Sequence, residues 1–215
     1  MPHDDFIPDF HDESSAASSS PESHGEYPAN LSWQPLKGGG TNLLTHKLKE
    51  ISSDRVAFRP TVGGVMFGVA FALPGLAMLG FGLKGAILGG EPYEGRYILI
   101  LAGLIFAVAG IFLIRSVTRR ITFDQRKGYY WRGKLPANPT HSEEGHFVRL
   151  DDIVGLQLIS EHISGSESSY HSYELNLVLH DGSRRNVVDH GKADRLAEDA
   201  QKLAFFLGVP VWDRR

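Results

Sequence analysis

Two uncharged apolar runs, separated by a short polar stretch, constrain this chain more than any other feature. Val62 to Leu83 carries no Asp, Glu, Lys or Arg over 22 residues, and Tyr97 to Ile114 none over 18. As helices rising 1.5 Å per residue they measure about 33 and 27 Å, near the ~30 Å hydrocarbon core of a bilayer. The second run holds twelve Leu, Ile, Phe and Val residues. At roughly −0.3 to −0.6 kcal/mol each, its insertion is favourable by about 4 to 7 kcal/mol. Pro74 and several glycines dilute the first run, and Lys84 stands at its far end, where a long side chain reaches the headgroups. Between the runs lies only Gly89-Gly90-Glu91-Pro92-Tyr93-Glu94-Gly95-Arg96. So short a turn predicts an antiparallel transmembrane hairpin over residues 61–115, with spans at 62–83 and 97–114.

Gly64, Gly68 and Ala72 recur every four residues, as do Gly103 and Ala107. Small residues at that spacing let helix backbones approach closely in lipid. They are expected to pack the hairpin on itself, with a homodimer as the alternative. Lys47, Lys49, Arg55 and Arg59 precede the first span, and Arg115, Arg119, Arg120, Arg126, Lys127 and Arg132 follow the second; the turn has only Lys84 and Arg96 at its edges. Basic flanks stay on the cytoplasmic side, so both termini are predicted to be cytoplasmic in a multi-pass protein of the cell (inner) membrane.

Charge and cysteine usage narrow the function classes. The net charge of −3 gives no bias towards nucleic acid, and the absence of cysteine excludes disulfides and thiolate chemistry. Residues 1–40 carry Asp4, Asp5, Asp9, Asp12, Glu13, Glu22 and Glu26 against one base, Lys37, together with a Ser-rich stretch and Gly38-Gly39-Gly40. A segment with so little to bury is expected to be a disordered, solvated leader, a docking arm being the alternative. Its sequon, Asn30-Leu31-Ser32, would not meet a glycosylation machinery in the predicted topology.

After the second span the apolar period changes from helical to alternating. Ile121-Thr122-Phe123 and Tyr129-Tyr130-Trp131 flank a turn closed by Gly128, and Phe147 to Leu150 is a short strand. Val154, Leu156 and Leu158 alternate with polar or small neighbours, as do Tyr173, Leu175, Leu177 and Leu179, and Asp181-Gly182 turns the chain into Arg184 to Val188. Leu196, Ala200, Leu203 and Leu207 share one helical face that Gly208 and Pro210 terminate. Before the membrane, Asn42 to Ile51 and Arg55 to Arg59 read as a β-hairpin within residues 41–60. It emerges on the same side as residues 116–212 and is predicted to join their sheet. The expected fold is a membrane α-hairpin inserted into a mainly-β domain of six or seven strands with a C-terminal helix, the layout of a pleckstrin-homology-like small barrel or sheet.

FDQRKGYYWRG, VRLDDIVGLQLISE, YELNLVLHDGSRRNVV and LAEDAQKLAFFLGVPVW resemble the cytoplasmic domain of bacterial membrane proteins with pleckstrin-homology-like folds. The order of two membrane helices, a strand pair and this helix end is also similar to the photosystem I assembly protein family. The likeness covers roughly residues 60–212 and rests on structural positions: Gly128, Gly182, Leu203, Phe206, Leu207 and Pro210. It implies an anchored scaffold without an active site.

No residue pattern supplies a specific chemistry. His162, His171 and Glu161 flank a flexible loop, but no HExxH or HxxxH spacing occurs, so no metal site is expected. Gly80 to Gly85 matches GxGxxG yet ends a membrane helix rather than opening a βαβ unit. Asp151 and Asp152 are adjacent and, in a strand, would point to opposite faces. His180 and His190 are expected to be solvated or capping. The expectation is a non-enzymatic membrane-anchored scaffold that binds a membrane-protein partner, such as an assembly factor, with no cofactor. The first alternative is a sensor of anionic lipid headgroups through Arg115, Arg119, Arg120, Arg126, Lys127 and Arg132. The second is a ligand- or metal-dependent enzyme.

Overall fold

The computed structural model describes residues 28, 31–36, 38–40, 43–88, 94–135, 147–164 and 169–215. The acidic run through Glu26, the sequon asparagine, most of the inter-helix turn and Gly165–Ser168 lie outside the described residues.

Two strands, β1 (His46–Ser52) and β2 (Arg55–Pro60), lead into α1 (Val62–Leu88), and α2 (Arg96–Thr118) returns into β3 (Ile121–Asp124). Thr61 starts α1 by accepting the Gly64 N–H on its hydroxyl at 3.1 Å, an N-cap that the apolar helix otherwise lacks. Both helices are long and apolar enough to span a membrane. β2 pairs antiparallel with β3, Arg55 facing Asp124 and Phe58 facing Ile121. The helical hairpin therefore interrupts two adjacent strands of one sheet.

α1 and α2 meet along a row of small residues. A Cβ on Gly68 would lie 2.6 Å from Ile114, one on Gly110 2.3 Å from the Ala72 nitrogen, and one on Gly103 2.7 Å from the Leu79 nitrogen. Gly64 faces Val117, while Ala72 and Ala107 are buried. Gly75 and Gly82 belong to the same row, opposite Ala107 and Ile100. All five small residues named from the sequence thus lie between α1 and α2. The large apolar side chains point the other way: Phe81, Ile98 and Phe112 are each about two-thirds or more exposed.

Sheet A continues from β3 through β4 (Tyr129–Arg132) to β5 (Phe147–Arg149), in the order β1-β2-β3-β4-β5. Sheet B consists of β6 (Ile153–Ser164), β7 (Ser169–Leu179), β8 (Arg184–His190) and β9 (Val211–Arg214), in the order β8-β7-β6-β9. α3 (Ala193–Leu207) packs on sheet B. Its end is set by Gly208, at φ 71°, whose N–H returns to Ala204 at 2.8 Å. One apolar core joins both sheets and α3, from Phe58, Phe123 and Tyr130 to Leu156, Leu175, Leu196 and Leu203.

The structure differs from the sequence reading in three respects. First, no ladder joins the sheets among the described residues, so they form an open pair rather than a closed barrel. At the nearest corner, two bonds among the described residues connect the segment just before β1 to the end of β8: Gly191 N–H to Leu43 O at 3.3 Å and the Thr45 hydroxyl to Asp189 O at 3.0 Å. The β1 edge is instead stopped by Asp199 of α3, which accepts the Leu48 N–H at 2.9 Å. Second, a ninth strand follows the helix and pairs parallel to β6. Third, part of the segment before β1 is held in place: Leu31 is buried against Val178 and Trp212 with Trp33 half-buried beside it, and the exposed residues Ser32, Gln34 and Leu36 bond to the same sheet through their backbone, forming a strap over the outer face of sheet B.

Candidate functional site

Alternation along sheet A sends Val56, Phe58, Ile121, Phe123 and Tyr130 to the core and their neighbours to the outer face. There, β2 contributes Arg55, Ala57 and Arg59, β3 contributes Thr122, and β4 contributes Trp131. They line a groove of about 440 Å³ with Arg120, Lys127 and Lys134 at its rim. Its floor is buried Ala57 and Thr122. The β3–β4 turn fixes the rim. Asp124, 1 % exposed, accepts the Lys127 N–H at 3.0 Å on one oxygen and the Arg55 Nε–H at 2.7 Å on the other. Gly128, at φ 72°, closes the turn. Lys127 is thereby held with its ammonium 5.5 Å from the Trp131 ring centre. Lys47 pairs with Arg59 across β1 and β2, and Lys47, Lys49 and Arg59 line a neighbouring depression that reaches Val62 at the start of α1. The two basic flanks of the hairpin, distant in sequence, share one sheet face.

Not every predicted residue lines the groove. Arg120 and Lys127 do. Arg126 reaches sideways to an ion pair with Asp54. Arg132 lies on the inner face, donating to Val187 O at 2.5 Å and tying β4 to β8. Arg115 and Arg119 are exposed at the end of α2, outside the groove lining. Arg55 and Arg59, noted in the sequence only as membrane flanks, take the places that Arg126 and Arg132 leave. The signal that could have found them was the alternation of β2, which puts both on the face opposite Val56 and Phe58.

Comparison of the chain with protein-family models, curated proteins and solved structures returns no match.

The histidines divide into two settings. His162 and His171 are register partners whose nearest ring nitrogens are 3.4 Å apart on the exposed end of the β6–β7 hairpin. Among the described residues no third ligand joins them, and no group of three or more metal-binding side chains occurs. His180 is exposed. His190, expected to be solvated or capping, is fully buried where β8 meets β1. Its Nδ1 accepts the Lys192 N–H at 3.3 Å, and its Nε2 has no partner among the described residues. His46 is buried beside it and donates from Nε2 to Val117 O at 3.0 Å, fastening β1 to the end of α2. Burial holds both histidines down at about 4, with the charge of Arg132 adding to the effect on His46. They are neutral near pH 7, and His46 joins β1 to α2.

A second cleft, about 650 Å³, separates β1 from the end of α3, with Phe205 92 % exposed at its lip. Its walls mix Glu50 and Lys202 with Leu48 and Phe206 and gather no reactive set. Asp151 lies in a single helical turn and pairs with Arg149 at 3.3 Å, away from any cleft chemistry.

Proposed function

We propose that this protein is a membrane-anchored, non-enzymatic binding module that presents a cationic sheet face to anionic lipid headgroups. The α1–α2 hairpin lies in the cell (inner) membrane with both termini cytoplasmic. The observation that carries the reading is the convergence of Arg55, Arg59, Arg120, Lys127 and Lys134 on one groove beside the helix ends. Anchoring is supported by the exposed apolar exterior of both helices, a surface too extensive to leave in water. Near an anionic leaflet each cation gains about 1 kcal/mol, Arg55 less because Asp124 already neutralises it. The gathering of these cations around one groove, with the Trp131 ring in its lining, favours a phosphate-bearing headgroup over diffuse attraction.

The pleckstrin-homology-like description of the β domain belongs to the same proposal. Two packed sheets built from sequential antiparallel strands, followed by a helix, support it. A second reading, a scaffold for a membrane-protein partner, draws on Phe205, whose ring is almost wholly exposed.

The full chain reconstituted in lipid nanodiscs tests the first reading. An anionic lipid with a photoreactive headgroup is expected to form adducts mapping to Arg120–Leu135. Adduct yield should fall several-fold in the Arg120→Gln, Lys134→Gln variant and at about 0.5 M salt, where screening shortens to a few ångströms. Equal yields from a zwitterionic analogue, or from the variant, would overturn it. Release of the chain from membranes by alkaline carbonate would remove the anchor.

A further inference from the structure

The cationic groove has a chemically matched ligand in the chain that carries it. Between Asp4 and Glu13 the sequence DDFIPDFHDE contains five carboxylates and no Lys or Arg, interleaved with Phe6, Ile7 and Phe10. The groove offers the complement on both counts. Its rim is cationic, and its lining includes Trp131, Ile51 and Leu135, of which Ile51 is 42 % exposed. We propose that residues 4–13 dock in this groove as an internal competitor of the anionic headgroup, so that lipid engagement by sheet A is regulated by displacement of the segment. The proposal rests on the lipid reading for its regulatory meaning and on the groove alone for the docking itself.

Reach permits the contact. The chain is fixed to the outer face of sheet B from Leu31 onward. Residues 14–30, at up to ~3.4 Å each, span about 55–60 Å when extended. Packed sheets lie about 10 Å apart, and a four- or five-stranded sheet is about 20 Å wide. A path around the domain edge therefore fits with slack. Tethering also removes the need for strong binding. A segment held by a linker of this length works against an effective concentration on the order of millimolar, so even a contact with a Kd of about that value is half-formed. Electrostatics gives the contact its switch: a headgroup in a membrane is presented at high surface density, and carboxylates compete with it for the same cations.

Amine acylation of the full chain, one copy per nanodisc of zwitterionic lipid, reads the docking directly. Lys127 and Lys134 are expected to react several-fold more slowly in the natural chain than in a variant carrying Asp4→Asn, Asp5→Asn, Asp9→Asn, Asp12→Asn and Glu13→Gln. Lys202, on α3 away from the groove, should react equally in both. A chain with only Phe6→Ala and Phe10→Ala should fall between the two. Equal rates for Lys127 and Lys134 in all three chains overturn the proposal. The photoreactive anionic lipid separates it from the lipid reading. If both hold, adducts rise several-fold on neutralising the segment. Absence of adducts in every chain, with the acylation difference intact, would leave a docked segment and discard the lipid.

Discussion

Sheets A and B each turn one face to the shared core, and their opposite faces carry different things. On sheet B the strap supplies backbone partners for polar side chains, of which Gln157 and Glu174 are buried. Gln157 donates to Ser32 O at 2.9 Å, Arg184 to Gln34 O at 2.9 Å, and Glu174, 5 % exposed, accepts the Leu36 N–H at 3.0 and 3.1 Å. Leu31 and Trp212 complete it with apolar contact, and the guanidinium of Arg214 lies 4.3 Å from the Trp33 ring centre. On sheet A no described residue covers the outer face, and among the described residues Arg55 is the groove cation with a carboxylate partner, Asp124. A polar face held by main-chain bonds belongs to the fold. A face on which several cations gather, with one carboxylate partner among the described residues, adds self-repulsion, and that cost is what motivates the ligand proposed for it.

The largest way to break this contrast lies on the strapped face. Trp212 is 3 % exposed, its ring covers Gly155 so closely that a Cβ there would sit 2.5 Å away, and it bears the strap through Leu31. Trp212→Ala should cost about 3–5 kcal/mol, as large aromatic deletions do. Denaturant unfolding followed by circular dichroism in detergent measures it. A loss below about 1 kcal/mol would mean that the strap contributes little to the fold.

The next effect is acid sensitivity at the corner where β1, β8 and α2 meet. His46 and His190 have folded pKa values of about 4, below the ordinary 6.5. The unfolded chain therefore takes up protons first as pH falls. Stability from these groups is complete above about pH 7, declines from 6.5 to 4, and declines no further below 4. The difference corresponds to on the order of 3 kcal/mol for each histidine. Unfolding midpoints at pH 7 and pH 5 should therefore differ, and His190→Leu should flatten the slope. An unchanged slope in that variant would show that the buried corner does not govern acid stability.

What the sequence disclosed, and what it did not, follows from the range of the forces involved. The hairpin was legible because a helix long and apolar enough to span a membrane needs an unbroken apolar run, a local property. The alternation of Ile121–Phe123, Tyr173–Leu179 and Leu156–Leu158 was legible for the same reason. β9 was not, because Val211-Trp212 is two apolar residues after a proline and gains strand character only from β6 beside it. The strap was hidden by composition: Leu31, Trp33 and Leu36 are sparse, and their hold comes from Gln157, Glu174 and Arg184, more than a hundred residues away. The groove was half legible. The basic flanks were visible, but which cations share a face depended on register, and register moved Arg132 inward while bringing Arg55 and Arg59 out.

The smallest expected effect sharpens the contrast most. Arg120 and Lys134 are exposed at the groove rim, and among the described residues neither side chain has a hydrogen bond or ion pair. Arg120→Gln with Lys134→Gln keeps both side chains polar while removing two charges. Unfolding free energy should change by no more than about 0.5 kcal/mol, the range of surface substitutions away from special features. Relief of repulsion could even make the change slightly favourable. The same variant should lose about 1 kcal/mol per charge of attraction to an anionic leaflet, roughly a fivefold drop for each. Unfolding in detergent and lipid adduct yield in nanodiscs, measured on one preparation, set the two numbers side by side. If stability fell by 2 kcal/mol or more while lipid adducts stayed constant, the rim cations would be part of the scaffold, and the distinction between the two outer faces would dissolve.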